Sequence, residues 1–276
     1  MPALYPKMRE RPLEFRINYD APLAEGLVFA GLGGHGCVGS MVYPDSSLYA
    51  NHGTLTNMDA ATDWVWDDTL KRFGLYFNNS GNAQVQLSRL PFHTGQGQVS
   101  IVTWLRPLGY SSQTAIFGEY VGDSTRNYLY VGISSVTFDQ YPPSGGQLIA
   151  EYYWSSSRWE HLVYTATVDE ERFYINGIRK ASRSPPELYT GPMPTSAKWG
   201  HRKADCYYYG FLSDTLLFVG NLADAAISSL ADPSNVDLRI GGVPLILPPR
   251  RRYWPVVSET AIPKFVPWHL FQQVGA

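Results

Sequence analysis

Three consecutive tyrosines, Tyr207-Tyr208-Tyr209, with Trp199 and Tyr189 close by in sequence, are the side chains here best suited to surface chemistry. A phenol ring has an apolar body and a polar tip. Such a group stacks on sugar rings, seals a subunit contact or packs locally, and the residues leave all three open. Other reactive types are scattered. The six histidines are His35, His52, His93, His161, His201 and His269. No Gly-x-Ser-x-Gly elbow accompanies them, so a nucleophilic triad has no anchor. Gly31-Leu32-Gly33-Gly34-His35-Gly36 has the glycine density of a phosphate cradle. It lacks a Lys-Ser/Thr partner and a following helix, which makes it a loop. Cys37 and Cys206 are the only cysteines. They read as two thiols or as one disulfide across a very long loop, and without paired histidines they make no zinc site. Arg250-Arg251-Arg252 is a short basic run in a chain of formal charge −2, which excludes a basic field for nucleic acid. Contact with an acidic neighbour suits it better.

These side chains need a scaffold, and the composition points to strands. Aromatics are 14% of the 276 residues, and 19 of them are tyrosines, which favours β-structure. A chain of this length buries enough apolar surface to fold without disulfides. Short β-rich runs separated by Gly, Asn, Asp, Ser and Pro predict strands at Gly74–Phe77, Ala83–Leu87, Val99–Leu105, Thr114–Tyr120, Tyr128–Ser134, Leu148–Tyr153, Glu160–Val168, Arg172–Ile175 and Leu212–Val219. In Glu160–Val168 the alternation puts Leu162, Tyr164, Ala166 and Val168 on one face. Asn176-Gly177 between Phe173-Tyr174-Ile175 and Ile178-Arg179-Lys180 predicts a two-residue type I′ hairpin. Asp169-Glu170-Glu171 reads as a solvated turn between strands.

One helix is expected over Leu222–Leu230, capped by Asn221 and stopped before Pro233, with Leu222, Ile227 and Leu230 facing the sheets. Two extensions flank this body. Residues 1–24 carry four prolines and read as an extended N-terminal arm. Residues 243–276 carry six prolines with Arg250, Arg251, Arg252, Tyr253, Trp254, Phe265, Trp268 and Phe271, and read as a C-terminal docking arm that buries its aromatics. Residues 25–242 are then one antiparallel sandwich that presents a surface. No stretch reaches the roughly 20 apolar residues of a membrane span. The charged, proline-bearing start lacks the apolar region of a signal peptide, so export by the usual route is not expected.

Six segments carry a family resemblance. Asp45-Ser46-Ser47-Leu48-Tyr49-Ala50-Asn51-His52-Gly53-Thr54-Leu55-Thr56-Asn57 resembles the D-S-S-G-N-G-N-H-G-T-L-T-N segment of laminin-G-like domains of the concanavalin A-like superfamily. Phe73–Leu87 resembles the next strand pair, which in the family usually holds F-D-G. Gln98–Pro107 resembles F-T-I-S-A-W-V-K-P, and Trp159–Gly177 resembles W-H-H-V-A-V-T-Y followed by Y-V-N-G. Tyr209–Phe218 is similar to the closing G-x-I-D-E-V-R-I strand, and Leu222–Pro233 to a short helix ending in A-D-P. The resemblance implies an all-β fold: an antiparallel jelly-roll β-sandwich of concanavalin A-like type, with one short C-terminal helix between extended arms. His52 then occupies the family's N-H-G turn and His161 a strand, both in structural roles.

Many members of the superfamily bind calcium through Asp and Asn oxygens, which nominates Asp45, Asn78 and Asp214. The pattern is eroded, since Phe77-Asn78-Asn79 stands where the family has F-D-G and Ser213-Asp214 where it often has Ile-Asp-Glu. A Ca²⁺ site wants six to eight oxygens including several carboxylates, so no cofactor is the primary expectation. Some members cleave polysaccharides, which needs two carboxyl groups across the bond. No E-x-D-x-x-E strand occurs, and no enzyme is expected. Copies with this helix and a tail like Leu247-Pro248-Pro249-Arg250-Arg251-Arg252-Tyr253-Trp254-Pro255 resemble proteins of tailed bacteriophages. That implies a virion structural protein, a surface decoration or accessory subunit made in host cytoplasm. Its partners would be capsid or tail proteins and copies of itself, with neither nucleic acid nor membrane. Two alternatives stand beside it: a lectin-like adsorption module for host-surface glycans, and a cellular adhesive protein.

Overall fold

The computed structural model describes residues 17, 24–32, 38–70, 72–78, 82–87, 98–109, 114–122, 125–141, 146–184, 186, 196–201 and 207–232. These form sixteen strands and one helix: β1 (Leu27–Gly31), β2 (Val42–Tyr43), β3 (Gly53–Thr56), β4 (Trp64–Asp67), β5 (Arg72–Phe77), β6 (Gln84–Leu87), β7 (Val99–Pro107), β8 (Thr114–Gly122), β9 (Thr125–Gly132), β10 (Ser135–Tyr141), β11 (Gly146–Glu151), β12 (Glu160–Ala166), β13 (Glu171–Ile175), β14 (Ile178–Arg183), β15 (Ser196–Trp199), β16 (Gly210–Val219) and α1 (Asp224–Leu230). The first sheet runs β14-β13-β12-β7-β16-β5-β4, with β1 also paired to β16. The second runs β11-β10-β9-β8-β15-β6-β3-β2. Every strand pair is antiparallel. The fold is a concanavalin A-like jelly roll.

Side-chain alternation explains why two layers form. Ile101, Leu105, Leu162, Tyr164 and Phe173 of the first sheet share one core with Leu129, Val131, Val136, Phe138, Val85 and Trp199 of the second. The Phe138 and Tyr164 rings stack across the gap with centroids 3.9 Å apart. A bulge between Ala115 and Phe117 turns Ile116 and Phe117 inward together. The central strands β7 and β12 are buried along nearly their whole length, so their outer faces are covered too. That burial on both faces is why they read as continuous apolar runs.

Local expectations meet mixed outcomes. Asn176 and Gly177 adopt φ of 52° and 75°, the left-handed pair a type I′ turn requires, and join β13 to β14. Val168 does not join Leu162, Tyr164 and Ala166 in the core; it is exposed. The strand ends at Ala166 because Thr167 closes a turn, donating its N–H to the Glu170 carbonyl while its Oγ1 accepts from the Asp169 and Glu170 N–H groups. Glu171 is not a solvated turn residue. It opens β13, is wholly buried and takes two hydrogen bonds from Arg183 at 3.1 and 2.7 Å.

The helix starts at Asp224, with Ala223 in the capping position and no side-chain cap, so Asn221 does not cap it. The chain up to Leu222 is held extended instead. The Leu222 N–H donates to Ser100 Oγ at 3.1 Å and the Gly220 N–H to the Gln98 carbonyl at 2.9 Å. Leu222 and Ile227 are buried against the first sheet and Leu230 packs beside them. No helix among the described residues is long and apolar enough to cross a membrane.

Candidate functional site

The outer faces of the two sheets have opposite characters. On the first, Val102, Val163, Tyr174, Leu216 and Phe218 point away from the core and are covered by Leu222 and Ile227 with Ile17, Ala24 and Leu27. Further along that face Leu70, Trp104, Trp159 and Phe211 make a second apolar cluster. Arg106 lies over the Trp159 and Phe211 rings at 5.3 and 4.5 Å, with its charge on Asp67 at 3.1 Å. This face is closed.

The second sheet's outer face is buried over β8, β9 and β10, at Ala115, Tyr128, Tyr130, Thr137 and Asp139, and carries exposed or half-exposed polar side chains over β15, β6 and β3, at Lys198, Gln86 and Thr54. Register alone aligns one row straight across it: Gln147 opposite Asp139, Asp139 opposite Tyr128, Tyr128 opposite Gly118, Gly118 opposite Lys198, Lys198 opposite Gln86, Gln86 opposite Thr54 and Thr54 opposite Val42. All point away from the core because their chain neighbours Leu148, Phe138, Leu129, Phe117, Trp199, Val85, Leu55 and Tyr43 point into it. At about 4.8 Å per strand the row is roughly 34 Å long. At Gly118 the Tyr128 ring fills the place of a side chain. A Cβ there would sit 2.6 Å from the Tyr128 ring, so the missing side chain is what lets that tyrosine lie across the strand. Beside the row, Ala115, Tyr128 and Tyr130 form a small apolar cluster.

His201 follows β15 and pairs by a β-bridge with Tyr207, whose ring stacks on the imidazole at 5.3 Å. His201 is 8% exposed, and neither ring nitrogen has a hydrogen-bond partner among the described residues. Burial, aided by the nearby Lys198 charge, pulls its pKa down from 6.5 to about 4, so the ring is neutral at neutral pH. Burial likewise lowers Lys198 from the ordinary lysine value. Lys198 forms no ion pair among the described residues.

The aromatic group expected to make one surface is dispersed. Trp199 and Tyr208 are core residues, 1% and 0% exposed, and neither can stack on a ligand. Trp199 packs on Phe29 and Phe117, because strand alternation turns it inward when Lys198 turns out. Tyr208 lies edge-on to Phe77 and donates to the Phe211 carbonyl at 3.0 Å. Tyr209 meets Tyr76, while Tyr207 joins His201. Tyr189, the arm residues Arg250, Arg251, Arg252, Tyr253, Trp254, Phe265, Trp268 and Phe271, and Cys37 and Cys206 lie outside the described residues.

The metal candidates are occupied by the protein itself. Asp45 Oδ1 accepts the N–H groups of Ala30 and Ser47, and Oδ2 accepts the Ser47 hydroxyl and the Asn51 N–H, all at 2.7–2.8 Å. Asp214, at a bulge in β16 with φ of 46°, is ion-paired with buried Arg72. Asn78 follows β5, half-buried. Among the described residues no three His, Cys, Asp or Glu side chains group as metal ligands. The histidines read as structural behave so: His52 Nδ1 accepts the Asp45 N–H at 2.9 Å, and His161 packs on Trp104 with ring centroids 5.0 Å apart. Burial and the Arg72 charge lower the His161 pKa to about 3.

Two buried carboxylates converge on the Tyr164 hydroxyl, Glu171 and more distantly Glu119, and burial with their charges holds that phenol well above its usual pKa. Asn127 donates to Glu119 at 2.9 Å. Both acids point between the sheets and are 0–1% exposed, so a glycosidic bond does not reach them.

The two antiparallel sheets packed face to face make the jelly-roll sandwich that the comparisons with known proteins also find. The family profile described as the concanavalin A-like lectin/glucanases superfamily matches residues 79–228, and the chain belongs to that family. Among solved structures, domain 4 of AbnA, a GH43 extracellular arabinanase from Geobacillus stearothermophilus in complex with arabinotriose, is similar with a TM-score of 0.59. Identity is 16%, covering 75% of this chain and 98% of that domain. The binding domain of Paraclostridial Mosquitocidal Protein 1 has a TM-score of 0.60 and 16% identity, covering 77% of this chain and 53% of the other. The binding domain of Botulinum neurotoxin DC, in complex with rat synaptotagmin II, has a TM-score of 0.55 and 14% identity, covering 75% and 51%. The chain thus spans about half of each toxin domain. Such distant likeness shows the fold alone. No curated protein matches the sequence significantly.

Proposed function

We propose that this protein is a non-enzymatic glycan-binding module whose binding surface is the outer face of the second sheet. One observation supports this reading: the first sheet's outer face is covered by the α1 cluster, whereas the second sheet presents Lys198, Gln86 and Thr54, exposed or half-exposed, side by side on β15, β6 and β3. Gln86, Lys198 and Thr54 offer amide, ammonium and hydroxyl groups at regular spacing, the equipment that hydrogen-bonds a polyol chain. The relative solved with arabinotriose makes the idea concrete for a neighbour of the same fold. Its test is a broad glycan array probed with the full chain. Saturable binding should weaken at least fivefold in Gln86→Ala with an unchanged thermal midpoint, and silence on neutral and acidic glycans alike would overturn the proposal.

The carrier proposed for this module is a tailed-phage virion, with the protein as a surface decoration or accessory subunit held by its terminal arms. The phage-like tail at residues 247–255 and the aromatic, proline-rich composition of residues 243–276 support it. Deleting residues 243–276 should leave the sandwich folded and abolish incorporation into particles. Normal incorporation of the truncated chain would remove this second reading.

A further inference from the structure

The two lateral margins of the sandwich carry opposite charge. On one margin the sheets end in β14 and β11, which lie against each other. On the other they end in β4 and β2, whose Trp64 and Tyr43 rings stack with centroids 5.5 Å apart. Strand β14 stands exposed along most of its length, and Ile178 at its start is 61% exposed. Its outward charge is basic. Arg179 and Lys180 are exposed, while Arg183 is spent on buried Glu171. Arg179 lies 3.7 Å from Glu170, which Arg172 already holds at 2.6 Å. The β4 margin is the converse. Residues 38–70 contain five aspartates and neither lysine nor arginine. Asp59 and Asp68 are exposed there, and Arg106 of β7 balances Asp67. Val42 of β2 and Val65 and Trp66 of β4 add exposed apolar surface.

A strand at a sheet edge is a template for another strand, and basic side chains on it ordinarily repel copies. Two β14 margins brought together would oppose like charges, and so would two β4 margins. Only the unlike pair sets basic against acidic, so the charges select a partner as well as guard an edge. We propose that a second copy of this chain docks its β14 margin on the β4 margin of the first, so that copies associate head to tail. Both sheets then continue across the contact, β14 beside β4 and β11 beside β2. In a translated copy β14 and β4, six antiparallel pairings apart, meet as a parallel pair, and β11 and β2, seven apart, meet antiparallel. Ile178 and Ile149 on one side and Val42, Val65 and Trp66 on the other supply the apolar contact. Each copy keeps one margin free, so such a contact grows into a ring or a filament. Lys198 and Gln86 lie inside the second sheet, away from both margins, and every copy would present them alike.

Sedimentation velocity of the full chain over a concentration series is the test. The wild type should form species larger than a dimer as concentration rises, and these should dissociate as salt rises. Val65→Lys places a cation on the acidic margin, and the double variant Arg179→Glu, Lys180→Glu reverses the basic one. Each variant should be monomeric alone, with the thermal midpoint of the wild type. An equimolar mixture of the two should give dimers and nothing longer, because each supplies the margin the other lacks. That restored dimer also reports that both variants are folded. A wild type that stays monomeric up to its solubility limit would overturn the proposal. So would a variant that assembles like the wild type, or a mixture that stays monomeric.

Discussion

Asp45 shows how a single side chain organises a loop that looks functional in sequence. Its carboxylate accepts four hydrogen bonds, from Ala30, Ser47 twice and Asn51, tying the 45–51 turn to β1. Asp45→Ala should therefore cost about 2–4 kcal/mol in denaturant unfolding, since buried N–H donors lose their acceptor. Asp214→Ala removes the carboxylate that balances buried Arg72 and should cost about 3–5 kcal/mol, measured the same way. His161 makes a pH prediction. The unfolded chain takes up a proton near 6.5, whereas the folded ring resists until about 3, so its stabilising effect is complete above 6.5 and is lost as pH falls. Between pH 6.5 and 4 this amounts to something on the order of 3 kcal/mol, and His161→Phe should flatten that part of the stability curve. Residue type alone marks these positions as polar and does not say which acceptors the backbone claims. Tyr207-Tyr208-Tyr209 illustrates the limit. Leaving a β-bridge and entering β16, the three rings go to three environments, and Tyr207 stacks on His201.

At the scale of elements, pattern was most legible where local chemistry decides. The β7, β12 and β16 runs and the Asn176-Gly177 turn lie where alternation and turn residues place them. Shorter elements were not seen, including β4, β10 and β15, because four to seven residues with charged or turn-forming members resemble loops until their partners are known. β15 matters most. Ser196-Ala197-Lys198-Trp199 carries no sequence signal for binding, yet pairing with β8 and β6 puts Lys198 at the centre of the polar row. The helix is short and uncapped, so its stability comes from packing. Ile227 is fully buried against the first sheet, and Ile227→Ala should destabilise the protein by about 2–5 kcal/mol in thermal or urea unfolding. It should also expose apolar surface on that sheet, which a hydrophobic dye would report. Gly177 has a similar dependence, since a Cβ would meet the Ser228 backbone at 3.2 Å while its φ of 75° disfavours other residues; Gly177→Ala should lower the thermal midpoint.

The described residues form a sandwich with unequal sides, and the function should follow that inequality. The family was readable from six ordered segments because they sit in core strands and turns, where the fold constrains residue type. The site was not, because it is assembled from registers among β3, β6 and β15, whose residues lie as far apart in sequence as Thr54 and Lys198. Backbone chemical-shift mapping with a bound oligosaccharide tests this account most directly. Perturbations should concentrate on β3, β6 and β15 around Thr54, Gln86 and Lys198. A footprint centred on α1 and the outer face of β12 and β16, or confined to the loops at one end of the sandwich, would contradict it.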